Sequence, residues 1–270
     1  MVRTLVVRGL LIGLLAGFVA GTFAFVFGEP RVDAAIALEE AAAAAEPEPA
    51  SASAGEAGHD HAEAAGHDHG EAAGHDHGEG AAVSRPVQKA GLFLATGLYG
   101  LAVGGVFALV FAGLRGRFGP RDDGALALAS AATAFVAVIL IPFLKYPANP
   151  PAVGDPETIN SRTALYVVMI IVGLAAVAVA VATARRVTAG PWQRRVAAGV
   201  AFLVPVVAAW LLLPAVDEVP EGFPASLLWN FRLASLGTQL VFWTAFGVLF
   251  GWVSDRVAGR PALSPAPSGG

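Results

Sequence analysis

The chain contains no cysteine. That excludes disulfides, thiolate metal sites and cysteine nucleophiles, and leaves histidine and carboxylate as its strong metal ligands. Charge is scarce as well: 14% of the 270 residues are Asp, Glu, Lys or Arg, against roughly 25% in soluble domains. Histidine is missing from the whole sequence except one stretch between residues 59 and 77. No segment offers paired carboxylates in the middle of an apolar run, a phosphate-binding glycine loop, or a nucleophile with a base. A self-energised pump and most membrane enzymes are thereby disfavoured, and no nucleotide or nucleic acid is expected as a ligand.

What the sequence has in abundance is apolar surface, 56% of its residues. About 20 helical residues cross a hydrocarbon core of about 30 Å. Runs of that kind cover approximately residues 4–27, 90–113, 124–144, 164–184, 196–213 and 233–253. The pattern predicts an all-α polytopic membrane protein with six transmembrane helices. Its expected parts are helix one over 1–28, a polar loop over 29–88, a five-helix bundle over 89–254 with outer loops at 145–163 and 214–232, and a disordered cytoplasmic tail over 255–270. Pro142 and Pro205 fall inside the third and fifth runs, where each frees a carbonyl and favours a kink. The apolar stretch Gly9–Phe27 exceeds the 7 to 15 residues of a signal-peptide core, so it reads as an anchor in preference to a cleaved leader.

Lys and Arg near helix ends prefer the cytoplasm. With the N-terminus inside, cytoplasmic segments hold 11 of the 17 basic residues, whereas 18 of the 21 acidic residues fall outside. Both termini are therefore expected in the cytoplasm, with the loop between helices one and two outside. Gly9, Gly13, Gly17 and Gly21 repeat at four-residue spacing, which lets another backbone approach one helix face closely. Gly97, Gly100, Gly104 and Gly105 in helix two, and Gly247 and Gly251 in the last helix, offer similar surfaces, and packing within the bundle is preferred to oligomerisation.

The six histidines lie in three copies of an eight-residue unit, GHDHAEAA, GHDHGEAA and GHDHGEGA, beginning at Gly58, Gly66 and Gly74. Around them, Ala, Gly, Glu and Pro dominate, with almost no side chain large enough to bury, so the loop is expected to be disordered. Each unit places two imidazoles and a carboxylate within reach of one ion: His59, Asp60 and His61; His67, Asp68 and His69; His75, Asp76 and His77. Such ligands suit Co²⁺, Ni²⁺, Zn²⁺ and Cu²⁺ alike. Capture should weaken in acid because free imidazole protonates near pH 6.5. Without a rigid second shell, fast exchange is expected.

Two further segments differ from ordinary connections. One, from Lys145 to Glu157, is rich in proline and predicts an ordered, irregular loop. The other, from Pro214 to Arg232, holds Asp217, Glu218 and Glu221 ahead of Phe223, Trp229 and Phe231, aromatics suited to a membrane interface. These acids, with Asn149 and the helical cluster Ser235, Thr238 and Gln239, are the candidates for a vestibule and path. The competing reading is that the loops are solvated lids and that the hydroxyls and amides serve helix packing.

The stretches FVFGEPRVDAAIALEE, VSRPVQKAGLFLATGLYG, PFLKYPANPPAVGDPETINSRT and DEVPEGFPASLLWNFRLASLGTQLVFW give the chain a family likeness. It resembles CbtA, the probable cobalt transporter subunit family, over nearly its whole length. The resemblance implies a bacterial or archaeal cytoplasmic-membrane protein linked with cobalt supply for cobalamin synthesis, and a small one-helix CbtB-type partner. It implies Co²⁺ as the ion, carries the histidine loop over as a metal-binding feature, and supplies no catalytic residues. Two functions are then expected as alternatives: a subunit of a metal uptake system, or a non-transporting metal-binding accessory that docks on another transporter.

Overall fold

The computed structural model describes residues 2–45 and 84–258. These form six long helices and, among the described residues, no strand: α1 (Val2–Ala45), α2 (Arg85–Leu114), α3 (Asp123–Lys145), α4 (Ile159–Arg186), α5 (Pro191–Leu212) and α6 (Ala225–Ala258). All six are long and apolar enough to cross a membrane, so the chain is an all-α, multi-pass membrane protein.

The glycine repeat of α1 is spent on α2. The two helices run antiparallel, with Gly9 against Gly104, Gly13 against Gly100, and Gly17 against Thr96 and Gly97. A Cβ on Gly13 would overlap the carbonyl oxygen of Gly100, and one on Gly100 would overlap that of Gly13. The helix backbones therefore touch, and the close contact is made inside one chain. α6 joins this pair through Phe246 and Phe250, which meet Phe107 and Phe111 of α2, and through Phe242, which meets Tyr99 of α2. Phe107 stands edge-on to Phe246 at 4.8 Å and to Phe250 at 5.3 Å, an arrangement that adds about 0.5–1.5 kcal/mol per pair beyond area burial. α3 completes this four-helix core along α6, where Gly251 lies against Gly124.

Helices α4 and α5 form a hairpin docked on α3. The docking depends on Pro142. Lacking an N–H, it cannot bond the carbonyl four residues back, and the preceding turn, Phe135–Leu140, widens into a π-helix in which Ile141 N–H reaches back five residues to Val136 O. Gly173 of α4 then lies directly on the Ala137 carbonyl, with no room for a Cβ. Pro30 has the same effect in α1, where the π turn Ala24–Gly28 ends with Glu29 N–H bonded to Ala24 O. Pro205 lies within α5, which continues without such a turn.

The first helix does not stop at the boundary expected near residue 28. It continues for 17 residues as Glu29–Ala45, because the sequence beyond Gly28 is polar but rich in Ala and Glu, both strong helix formers. Arg85, at the start of α2, bonds Glu29 at 2.7 Å and also Asp33, and Lys89 Nζ pairs with Asp33 at 3.0 Å. These contacts hold the first part of the extension, and Ala45 stands about 18 Å beyond Asp33 at 1.5 Å per residue. The expected polar loop over 29–88 is thereby shortened at both ends, and α2 begins at Arg85.

The helix order places the ends joined by residues 46–83, the turn between α3 and α4 and the turn between α5 and α6 on one face of the bundle, hereafter the loop face. At the opposite face Asp122 caps α3 by accepting from Ala125 N–H at 2.7 Å, and Asp255 of α6 accepts from Gly124 N–H at 2.7 Å. Arg115 pairs with Asp123. Two guanidinium groups there lie over rings, Arg185 on Phe118 and Arg256 on Trp252, each at 3.9 Å.

Candidate functional site

At the loop face a cleft of about 490 Å³ opens where the α4–α5 hairpin meets the four-helix core. Its walls come from α3, α4, α6 and the two loops that join the hairpin to its neighbours. The proline-rich loop is ordered and irregular: Pro150 and Val153 are buried, and Ala152 and Gly154 take φ of 63° and 114°. Gly154 is required twice over, since its φ disfavours side chains and a Cβ would stand 2.5 Å from Arg162 Nη1. Asp155 Oδ1 accepts from Glu157 N–H at 2.8 Å and starts the short turn Pro156–Thr158 that leads into α4.

That turn presents Arg162 to Glu218 on the other loop. Arg162 Nη1 lies 3.0 Å from Glu218 Oε2, while Thr158 Oγ1 donates to Glu218 Oε1 at 2.6 Å and Asp155 N–H to Oε2 at 3.2 Å. The pair is largely covered, with the Arg162 side chain 26% exposed and that of Glu218 14%. Tyr146 ties the loops a second time by donating to the Pro214 carbonyl at 2.8 Å. Burial raises the pKa of its phenol, which keeps that donor protonated. Lys145 Nζ donates to Trp210 O at 2.9 Å.

From α6, Arg232 points into the cleft. Its Nη2 donates to Asn149 Oδ1 at 3.0 Å and its Nε to Ala148 O at 3.3 Å. Both acceptors are neutral, and no carboxylate among the described residues reaches ion-pair distance. Asn149, Ser235 and Gln239, named from sequence, do line this cleft. Ser235 donates to Phe231 O at 2.9 Å, and Gln239 Oε1 accepts from Tyr99 OH at 3.2 Å. Thr238 is not in the cleft wall and donates to its own helix at Ala234 O, 2.9 Å away. Asp217 and Glu221 are exposed on the loop, and Glu218 is held as described. The structure therefore gathers the amides and Ser235, leaves the three acids outside the cleft, and adds two arginines and two tyrosines, Tyr146 and Tyr166, that sequence patterning does not single out.

Among the described residues no three His, Asp or Glu side chains converge as a metal-binding group. The nine residues of the histidine units expected from sequence to bind metal, His59, Asp60, His61, His67, Asp68, His69, His75, Asp76 and His77, lie outside the described residues. Their segment is tethered at Ala45 and Ser84, on the face that bears the cleft.

No curated protein and no solved structure matches the chain. A family model does: that of the probable cobalt transporter subunit CbtA covers residues 2–255, nearly the full length, and the chain belongs to that family.

Proposed function

We propose that this protein is the membrane subunit of a divalent transition-metal uptake system, with cobalt as cargo, and that the three His-Asp-His units gather the metal outside the cytoplasm and hand it to the helix bundle. Membership in a family of cobalt transporter subunits supports the cargo. The confinement of all six histidines to one repeated segment carries the capture step. In this reading the loop face is extracytoplasmic, both termini are cytoplasmic, and the membrane is the cytoplasmic membrane of a bacterium or archaeon. A small one-helix CbtB-type subunit is the expected partner. The membrane potential contributes about 4.6 kcal/mol per 100 mV to inward movement of a dication, twice the value for one charge, so no nucleotide is needed.

Deleting residues 58–80 tests the capture step. Metal affinity at low concentration should fall at least tenfold, measured by titration with Co²⁺, while the melting temperature stays the same because all described packing lies outside the deleted segment. Unchanged affinity would refute capture by the loop. The same deletion should abolish the loss of affinity below about pH 6.5 expected from imidazole protonation.

One observation favours a second reading. Within the described residues the bundle shows no cluster of metal ligands, as expected of an accessory protein that holds metal at the surface and docks on another transporter. Uptake of labelled Co²⁺ into vesicles containing the purified chain alone separates the two. Uptake supports the transport reading, whereas intact binding without uptake leaves the accessory reading standing.

A further inference from the structure

The geometry points to the loop-face cleft as a binding site for an oxyanion, a carboxylate or a phosphate, carried on a partly apolar body. Arg232 is the reason. It sits in α6 seven residues from the helix start, on the membrane side of the loops, and its two protein partners are a backbone carbonyl and an amide oxygen. Neither carries charge. Arg232 is half-buried, and a guanidinium partly withdrawn from bulk water without a close counter-ion is costly, so proteins ordinarily pair it. The other cleft arginine is already neutralised, because Arg162 has Glu218. Asp217 acts on Arg232 only at longer range, from an exposed position.

The remaining donors point the same way. Nη1 of Arg232 has no acceptor among the described residues, and neither does the Tyr166 hydroxyl, which is also in the cleft wall. Tyr146, Ser235 and Thr163 spend their hydroxyl protons on backbone carbonyls. The cleft thus keeps one uncompensated positive charge with donors to spare, and Ile139, Phe143 and Val167 supply an apolar wall. Guanidinium groups bind carboxylate and phosphate oxygens through paired N–H donors. A bare dication would be repelled there. This inference stands apart from the histidine loop and does not depend on it.

Two sources could supply the oxyanion: a small soluble carboxylate at the loop face, such as a metal chelate, or the phosphate of an anionic lipid entering between the helices. The full-length protein in phosphatidylcholine nanodiscs is titrated with citrate by calorimetry at pH 8, where free imidazoles are neutral. Phosphatidylglycerol and phosphatidylcholine retained in detergent are compared by native mass spectrometry. Saturable citrate binding that weakens at least tenfold in Arg232→Gln and stays within threefold in Arg232→Lys identifies a soluble ligand. Selective retention of phosphatidylglycerol, lost in Arg232→Gln, identifies the headgroup. Should Arg232→Gln fail to fold, Ser235→Asp carries the test, because it places a counter-ion one helical turn from the guanidinium in the same cleft. It should weaken binding to a similar degree. Failure of the wild type to bind citrate or to prefer the anionic lipid, or binding as tight as wild type in both Arg232→Gln and Ser235→Asp, would overturn the site.

Discussion

Replacing Gly13 with alanine should prevent α1 and α2 from closing, and the protein should lose most of its folded yield in detergent. The added Cβ overlaps the carbonyl oxygen of Gly100. Overpacking among side chains costs about 1–3 kcal/mol because rotamers adjust. Here the obstacle is backbone, which cannot rotate aside, so the helices must separate along a seam that also carries Gly9, Gly17 and Gly104. Without a hydrophobic driving force between helices in lipid, such close approach is the chief source of their attraction. Gly100→Ala should fail in the same way. Gly91→Ala, in the same α2 but with nothing within 4 Å of its Cβ position, should be indistinguishable from wild type. The measurement is the monodisperse fraction by fluorescence-detected gel filtration, followed by thermal unfolding of the surviving protein. Normal yield and stability for Gly13→Ala would refute the seam.

The contrast between Gly13 and Gly91 also marks how far the sequence can be read. Four glycines at a spacing of four residues announce a packed face, since the stripe is one-sided, and the six apolar runs announce the helices. Helix ends are harder to read. Apolarity ends at Phe27, so the sequence places the membrane boundary there, but helix formation tracks Ala and Glu content and continues to Ala45. In α6 the turns holding Asn230 and Arg232 interrupt the apolar signal, and the helix begins at Ala225, ahead of the run that starts near 233.

The cleft is legible in the sequence only in fragments. Asn149 and Gln239 stand out as polar residues in apolar company. The partner of Glu218 cannot be read, because Arg162 lies 56 positions earlier in the chain, in the first turn of α4, and no periodicity links a helix start to a distant loop. Arg232 does carry a usable signal: an arginine seven residues inside an apolar helix, at the end that the distribution of basic residues leads one to expect outside, runs against the positive-inside rule and is a candidate for a functional position. A count of basic residues by side hides that signal, since it treats Arg232 as one more loop charge. Its placement beside neutral acceptors emerges only from the fold.

Glu218 makes the second large prediction. Glu218→Leu should destabilise the protein by about 3 kcal/mol, the lower end of the cost of removing one member of a buried ion pair. Two donors lose their acceptor at once, Arg162 Nη1 and the Asp155 N–H, while Thr158 Oγ1 is left with the Asp155 carbonyl at 2.8 Å. Arg162 is then left covered and charged, with its Nε already lacking a partner. Glu218→Gln is the milder variant, for its one acceptor oxygen can still serve Thr158 while its NH2 group replaces the oxygen that bonds Arg162 and the Asp155 N–H, so it should fall between wild type and Glu218→Leu. Combining Glu218→Leu with Arg162→Leu should recover most of the loss, since deleting both charges avoids the orphaned guanidinium, and the double-mutant cycle then gives the coupling directly. Thermal unfolding at fixed lipid and salt provides the readout. An exposed ion pair is worth about 0–1 kcal/mol. A loss that small for Glu218→Leu, with no recovery in the double variant, would mean that the two loops are joined by Tyr146 and packing alone, and that the pair beside the cleft is solvated.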